Sequence, residues 1–229
     1  MRRGAIAILP GLLIAAPAVA AERVWSIGSI ERVRVEAPVE VRIVTGAGNG
    51  VRATASDAAT LARLTVVANG DTLLIRQPRG AAPATADDRA TVTVSTPRLA
   101  AVALYSAATV AVDAMRGDRI DLSVTEGGTL TIEQIDSPML AATLVGDGAM
   151  TLAGRAGDVR LIANGHGVLH AAGLAVDRLA VQALDTAEVT ATARFAASVN
   201  ATGTSLVTVT SPSPCTVRRS GDAQVTCGR

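Results

Sequence analysis

The glycine-flanked acid of LVGDGAMTLAG, residues 144–154, and the two histidines, His166 and His170, are the side chains whose types best suit metal chemistry. A cation site would need Asp147 and His166 to converge with a third donor such as Asn164, because zinc takes three or four ligands at one point. His166 and His170 straddle a run of alternating residues that holds them more than a side chain apart. The stretches GDG at 146–148 and GHG at 165–167 lack the strand-to-helix setting that aims backbone amides at a phosphate. The expectation is a solvated aspartate and histidine at corners, with no metal and no cofactor.

Cleavage of an acidic polysaccharide is the second chemistry to weigh. It needs carboxylates to hold calcium and a basic side chain to accept a proton on the same face. Asp113, Asp118, Asp121 and Asp136 supply acids, and Arg116, Arg119 and Arg160 supply bases. These residues fall at different phases of the repeat set out below, so they do not line one groove, and no catalytic residue is assigned. A third set, Ala111, Thr131, Thr151, His170, Thr190, Thr208 and Thr226, recurs once per repeat. An outward threonine ladder can order water, but threonine is also an ordinary exposed strand residue, and no sustained Thr-x-Thr runs through successive units.

Cys215 and Cys227 are the two cysteines of the chain and form a candidate disulfide. If the last unit folds back about Gly221, their Cβ atoms come within the ~3.5–4.5 Å that a disulfide requires. If it closes as a full turn, Cys227 points into the core and Cys215 sits at the preceding bend, which leaves two buried thiols. An oxidising compartment favours the bond.

The elements that must position all these groups follow from a repeat. Taking Met150 as reference, apolar residues recur at Val110, Leu130, Leu169, Val189, Val207 and Val225, spaced by 18 to 20 residues. Eight residues before each lies another apolar column: Val102, Leu122, Ala142, Leu161, Val181, Val199 and Val217. Alternation of period two on both sides of a fixed point means strand, corner, strand in every unit. Two residues before each reference stand Ala108, Gly128, Gly148, Gly167, Ala187, Ser205 and Ala223, all small. Such a column predicts a tight interior corner that admits no larger side chain, with glycine also permitting unusual dihedrals. Its neighbour varies freely (Ala107, Gly127, Asp147, His166, Thr186, Thr204, Asp222), as an outward corner position should.

Seven such units stacked at ~4.8 Å describe an all-β parallel β-helix, a β-solenoid rod about 34 Å long. The N-terminal part is less regular. VRVEAPVEVRIVTG fits the same phase with Val41 as reference and Pro38 at the corner. A strand, a short helical turn near residues 58–63 and a hairpin over Asn69-Gly70 come next, then a flexible loop at 80–89.

Composition narrows function. The formal net charge is +1, from 21 basic and 20 acidic residues, which excludes a nucleic-acid patch. Only Trp25, Tyr105 and Phe195 are aromatic, too few to stack sugars or bases and in keeping with a thin, closely packed core. Residues 1–21, with Arg2 and Arg3 before an apolar run and Ala18-Val19-Ala20 at the exit, read as a secretory signal peptide. The mature domain is expected to span 22–229, exported to the periplasm or the outer cell surface, with no lipid anchor and no transmembrane span.

The stretches IERVRVEAPVEVRIVTG, LARLTVVANGDTLLIR and VTVSTPRLAAVAL, followed by corners of the type small-Gly-x-Gly, resemble the bacterial autotransporter adhesin head family called GIN, a domain of unknown function. RRSGDAQV, residues 218–225, comes nearest to the Ser-Gly-Ser-Gly-Asp corner usual in that family, while LDTAEV and YSAATV depart from it. The resemblance covers residues 22–229. It implies a parallel β-helix in the cell envelope without established catalytic residues. The expectation is thus a non-enzymatic, adhesin-like binding or structural module whose partner is an envelope protein or glycan, with terminal rungs open to self-association. The alternative is a carbohydrate-active β-helix enzyme resembling a polysaccharide lyase.

Overall fold

The computed structural model describes residues 21–78 and 89–228. The expected leader and the expected loop at 80–89 therefore lie outside the described residues, apart from Ala21 and Arg89.

Strands with one apolar face must cover it, and a chain that turns a corner after each strand covers it with its own next strand. The result is a β-solenoid of about six turns. One sheet runs β1 (Ala21–Trp25), β4 (Gly50–Ala55), β7 (Thr91–Thr96), β3 (Glu40–Thr45) and β9 (Thr109–Arg116). It continues through the first halves of β11 (Thr129–Gly146), β12 (Ala149–Gly165) and β13 (Val168–Asp185) to β14 (Glu188–Thr192), β16 (Leu206–Thr210) and β18 (Gln224–Gly228). The second sheet runs β5 (Thr65–Asn69), β6 (Thr72–Arg76), β2 (Arg32–Glu36), β8 (Ala101–Leu104) and β10 (Arg119–Thr125). The second halves of β11, β12 and β13 follow, then β15 (Ala196–Ala201) and β17 (Cys215–Arg219).

All seven reference positions stand in one registered column, Val110 on Leu130, Met150, Leu169, Val189, Val207 and Val225 in turn. The companion column from Val102 to Val217 is registered in the same way on the second sheet. Except at the last rung, where Val217 is 40% exposed, these columns of Val, Leu, Met and Ala line a narrow interior without one aromatic side chain.

The two corners of a rung differ. β11, β12 and β13 run unbroken from the first sheet to the second, so that corner bends without leaving extended geometry. The opposite corner interrupts the strand for two residues, 147–148 between β11 and β12 and 166–167 between β12 and β13. There the structure separates two jobs that the sequence reading assigned jointly to the small column. Gly148 is not left-handed; a Cβ on it would lie 2.6 Å from the Gly128 carbonyl oxygen and 2.9 Å from Val124 Cγ1, so its smallness is a matter of space. The left-handed residue is two positions earlier, Gly146 at φ 96°, and the same conformation stacks on it at Asp185 (φ 59°) two rungs on.

The N-terminal order departs from simple winding. β2 pairs with both β6 and β8, and β3 with both β7 and β9, so the first rung in the chain is not the first in the stack. After β1, which ends up outermost on the first sheet, the chain enters one rung inside with β2 and β3, passes outward to lay β4 and β5 antiparallel on the two sheets, and returns. Antiparallel strands thus end the parallel stack on that side. Between them α1 (Ala58–Arg63) starts at Asp57, whose carboxylate accepts the Thr60 N–H at 2.8 Å, and buries Leu61.

Candidate functional site

The outward face of a solenoid is a lattice of columns, so each chemically capable residue is placed by its rung and phase. Asp147 and His166 do meet: Oδ1 lies 3.3 Å from Nδ1, on adjacent rungs, with both side chains more than 70% exposed (79% and 74%). His170 turns to Thr190 instead, its Nδ1 3.1 Å from Oγ1. Among the described residues no three His, Cys, Asp or Glu side chains converge on a point.

The four acids are dispersed and most are engaged. The Asp113 carboxylate accepts the Thr45 N–H at 2.9 Å, the Thr45 hydroxyl at 3.1 Å and the Ala114 N–H at 2.6 Å, tying the end of β3 to β9. Asp121 takes a forked pair of hydrogen bonds from Arg119 on its own strand. Asp136 takes both of its bonds from Arg155 one rung on, each 2.8 Å, while Arg116 reaches Gln134. Asp118 stands exposed at the corner between β9 and β10. Hydrogen bonds from Arg155, and then its charge, hold the Asp136 carboxyl below the ordinary aspartate value of 3.8. Arg178 does the same to Asp158. These charges are spent on neighbouring rungs, as cross-strand pairs of opposite sign should be.

The small column from Ala108 to Ala223 is buried throughout. Cys215 and Cys227 form a disulfide with a Cα–Cα distance of 6.2 Å. The bond does not need the expected fold-back at Gly221. The last unit closes as a full rung, with β17 on β15 and β18 on β16, and the two cysteines reach each other across the interior from opposite sheets.

Sequence reasoning missed one feature, a depression of about 590 Å3 on the second sheet. It spans β10 to β17 and is lined by Met139, Ala141, Ala180 and Ala196 together with Arg119, Arg160 and Arg178. The signal was available: the position nine before each reference from Leu130 onward reads Asp121, Ala141, Arg160, Ala180, Ser198 and Thr216, one arginine among mostly small residues.

A family model described as "putative auto-transporter adhesin, head GIN domain" matches residues 30–213. The fold is similar to that of a putative adhesin from Bacteroides fragilis, with a TM-score of 0.81 and 14% identity over 92% of this chain and 96% of that one. A putative adhesin from Parabacteroides merdae gives 0.71 at 13% identity, covering 93% and 97%. A putative lipid binding protein from Parabacteroides distasonis gives 0.72 at 12% identity, covering 93% and 98%. No curated protein sequence matches the chain.

Proposed function

From the premise that the chain belongs to the family of auto-transporter adhesin head GIN domains, we propose that it is a non-catalytic binding module of the cell envelope. In this reading the leader is removed and residues 22–229 act in the periplasm or on the outer surface. The observation that carries the reading is the character of the surface. Charged side chains pair between neighbouring rungs or along one strand, leaving broad, regular faces, whereas catalysis would need acid and base aimed at a shared cleft. The edges of β17 and β18, each paired on one side only among the described residues, offer backbone groups to a second copy or to a partner strand.

Fractionation of cells expressing the tagged chain, with N-terminal sequencing and pull-down from the envelope fractions, tests both parts. The expected result is a chain beginning at Ala21 or Glu22, recovered outside the cytoplasm with a specific envelope protein or glycan. An uncleaved cytoplasmic chain, or calcium-dependent release of unsaturated sugar ends by the purified protein, overturns it.

A further inference from the structure

The two sheets differ in their outward side chains in a way that strand stability does not explain. The first sheet carries Thr131, Thr151, Thr190, Thr208 and Thr226 in a column broken by His170, residues suited to an exposed strand. The second sheet carries Ala141 and Ala180 on the rungs either side of Arg160, with Ala196 beside them. Alanine is depleted in strands and leaves the backbone uncovered. Here it hollows the sheet. Leu140, Val159, Leu179 and Ala197 keep their side chains in the core and so contribute the floor of the depression. Its volume, about 590 Å3, is that of a small-molecule site.

The polar groups at this depression are unevenly satisfied. Arg178 is bound to Asp158, with Nη2 2.6 Å from Oδ2, and Arg119 is bound to Asp121. Arg160 has no hydrogen-bond or ion-pair partner among the described residues. A guanidinium with small apolar neighbours on both adjacent rungs lacks an anion, and its planar fork matches a carboxylate. Apart from the hydroxyls of Ser198 and Thr216 towards the β17 end, the rest of the lining is apolar, and the depression is elongated. Met139 stands 45% exposed at the rim, and Phe195, 61% exposed, directly precedes the lining residue Ala196. From Arg119 to Thr216 the lining crosses five inter-strand steps of ~4.8 Å, about 24 Å in all.

We propose that this depression binds a long-chain carboxylate, its head group held by Arg160 and its aliphatic chain laid across the strands on the alanine floor. The charge complementarity selects an acid over a neutral lipid. The apolar floor of Leu140, Val159, Leu179 and Ala197, in a lining without tryptophan or tyrosine, selects a hydrocarbon chain over an acidic sugar. The inference deepens the reading of the protein as a binding module and rests on it.

Palmitate, its neutral alcohol and a short oligogalacturonate are titrated against the mature chain and two surface variants, with thermal melts confirming that each variant folds. Arg160→Gln removes the anion partner, and Ala180→Phe fills the hollow without entering the core. Saturable palmitate binding is expected, weakened about tenfold or more by Arg160→Gln, as loss of a charged hydrogen bond predicts, and abolished by Ala180→Phe. The alcohol should bind more weakly and ignore Arg160→Gln. Absence of saturable palmitate binding, indifference to both variants, or binding of oligogalacturonate in its place overturns the site. Failure here leaves wild-type capture of an envelope partner intact, whereas failure of the broader reading removes that capture, so the two are told apart by the pull-down.

Discussion

Substitution at Gly148 tests the rung register most directly, because the structure says what an added methyl meets. A Cβ there would sit 2.6 Å from the Gly128 carbonyl oxygen, 2.9 Å from Val124 Cγ1 and 3.1 Å from Leu144 Cδ1. Neither side can yield cheaply. The Gly128 oxygen accepts the Ala149 N–H at 2.9 Å, and the Gly148 oxygen accepts the Val168 N–H at 3.0 Å, so parting the rungs stretches the ladder. Overpacking of this kind costs ~1–3 kcal/mol, and weakening one ladder hydrogen bond adds ~1 kcal/mol, so Gly148→Ala should lose about 2–4 kcal/mol. For a domain of this size that lowers the thermal midpoint by about 5–15 °C. Gly148→Val should lose more. Gly146→Ala acts by another route, placing an L side chain at φ 96°, and should cost about 1–2 kcal/mol. Asp147→Ala, at a carboxylate 79% exposed, should stay within about 0.5 kcal/mol of wild type. Calorimetry or circular-dichroism melts of the four variants decide it. An Asp147→Ala protein less stable than Gly148→Ala refutes the placement of the corner.

Three further outcomes are expected. Asp113→Ala strips the acceptor from Thr45 and Ala114 and should destabilise by about 1–3 kcal/mol in urea titration, although it touches no ligand. Opening the Cys215–Cys227 bond, across 12 residues, should cost about 3 kcal/mol by loop entropy, read as a lower midpoint with reductant that the Cys215→Ser, Cys227→Ser double variant reproduces without it. Asp136 and Asp158 have folded values below 3.8, so the stability they add is present above that pH and lost as pH falls through the depressed values. Wild type should therefore weaken in acid below about pH 4, and an Asp136→Asn, Asp158→Asn double variant should show a shallower loss over that window.

The repeat was legible in the sequence because a rung is a local object. Each turn of 18 to 20 residues carries its own apolar alternation and its own small corner, so simple phase counting places Val110, Leu130, Met150 and their successors in the column that the sheets register. The short helix and the Asn69-Gly70 hairpin were legible for the same reason, since a cap and a two-residue turn are written in adjacent residues. Contacts between distant segments obey no such counting. That β2 and β3 slot between rungs formed some forty to seventy residues later, that Asp113 serves Thr45, and that the disulfide crosses the interior were settled only when the chain closed on itself. The hollow on the second sheet belongs to both levels. Ala141 and Ala180 occur at one phase of the repeat, but the depth of the hollow, and the Arg160 guanidinium left over once Arg119 and Arg178 have taken Asp121 and Asp158, exist only in three dimensions, because a partner is claimed by distance rather than by spacing.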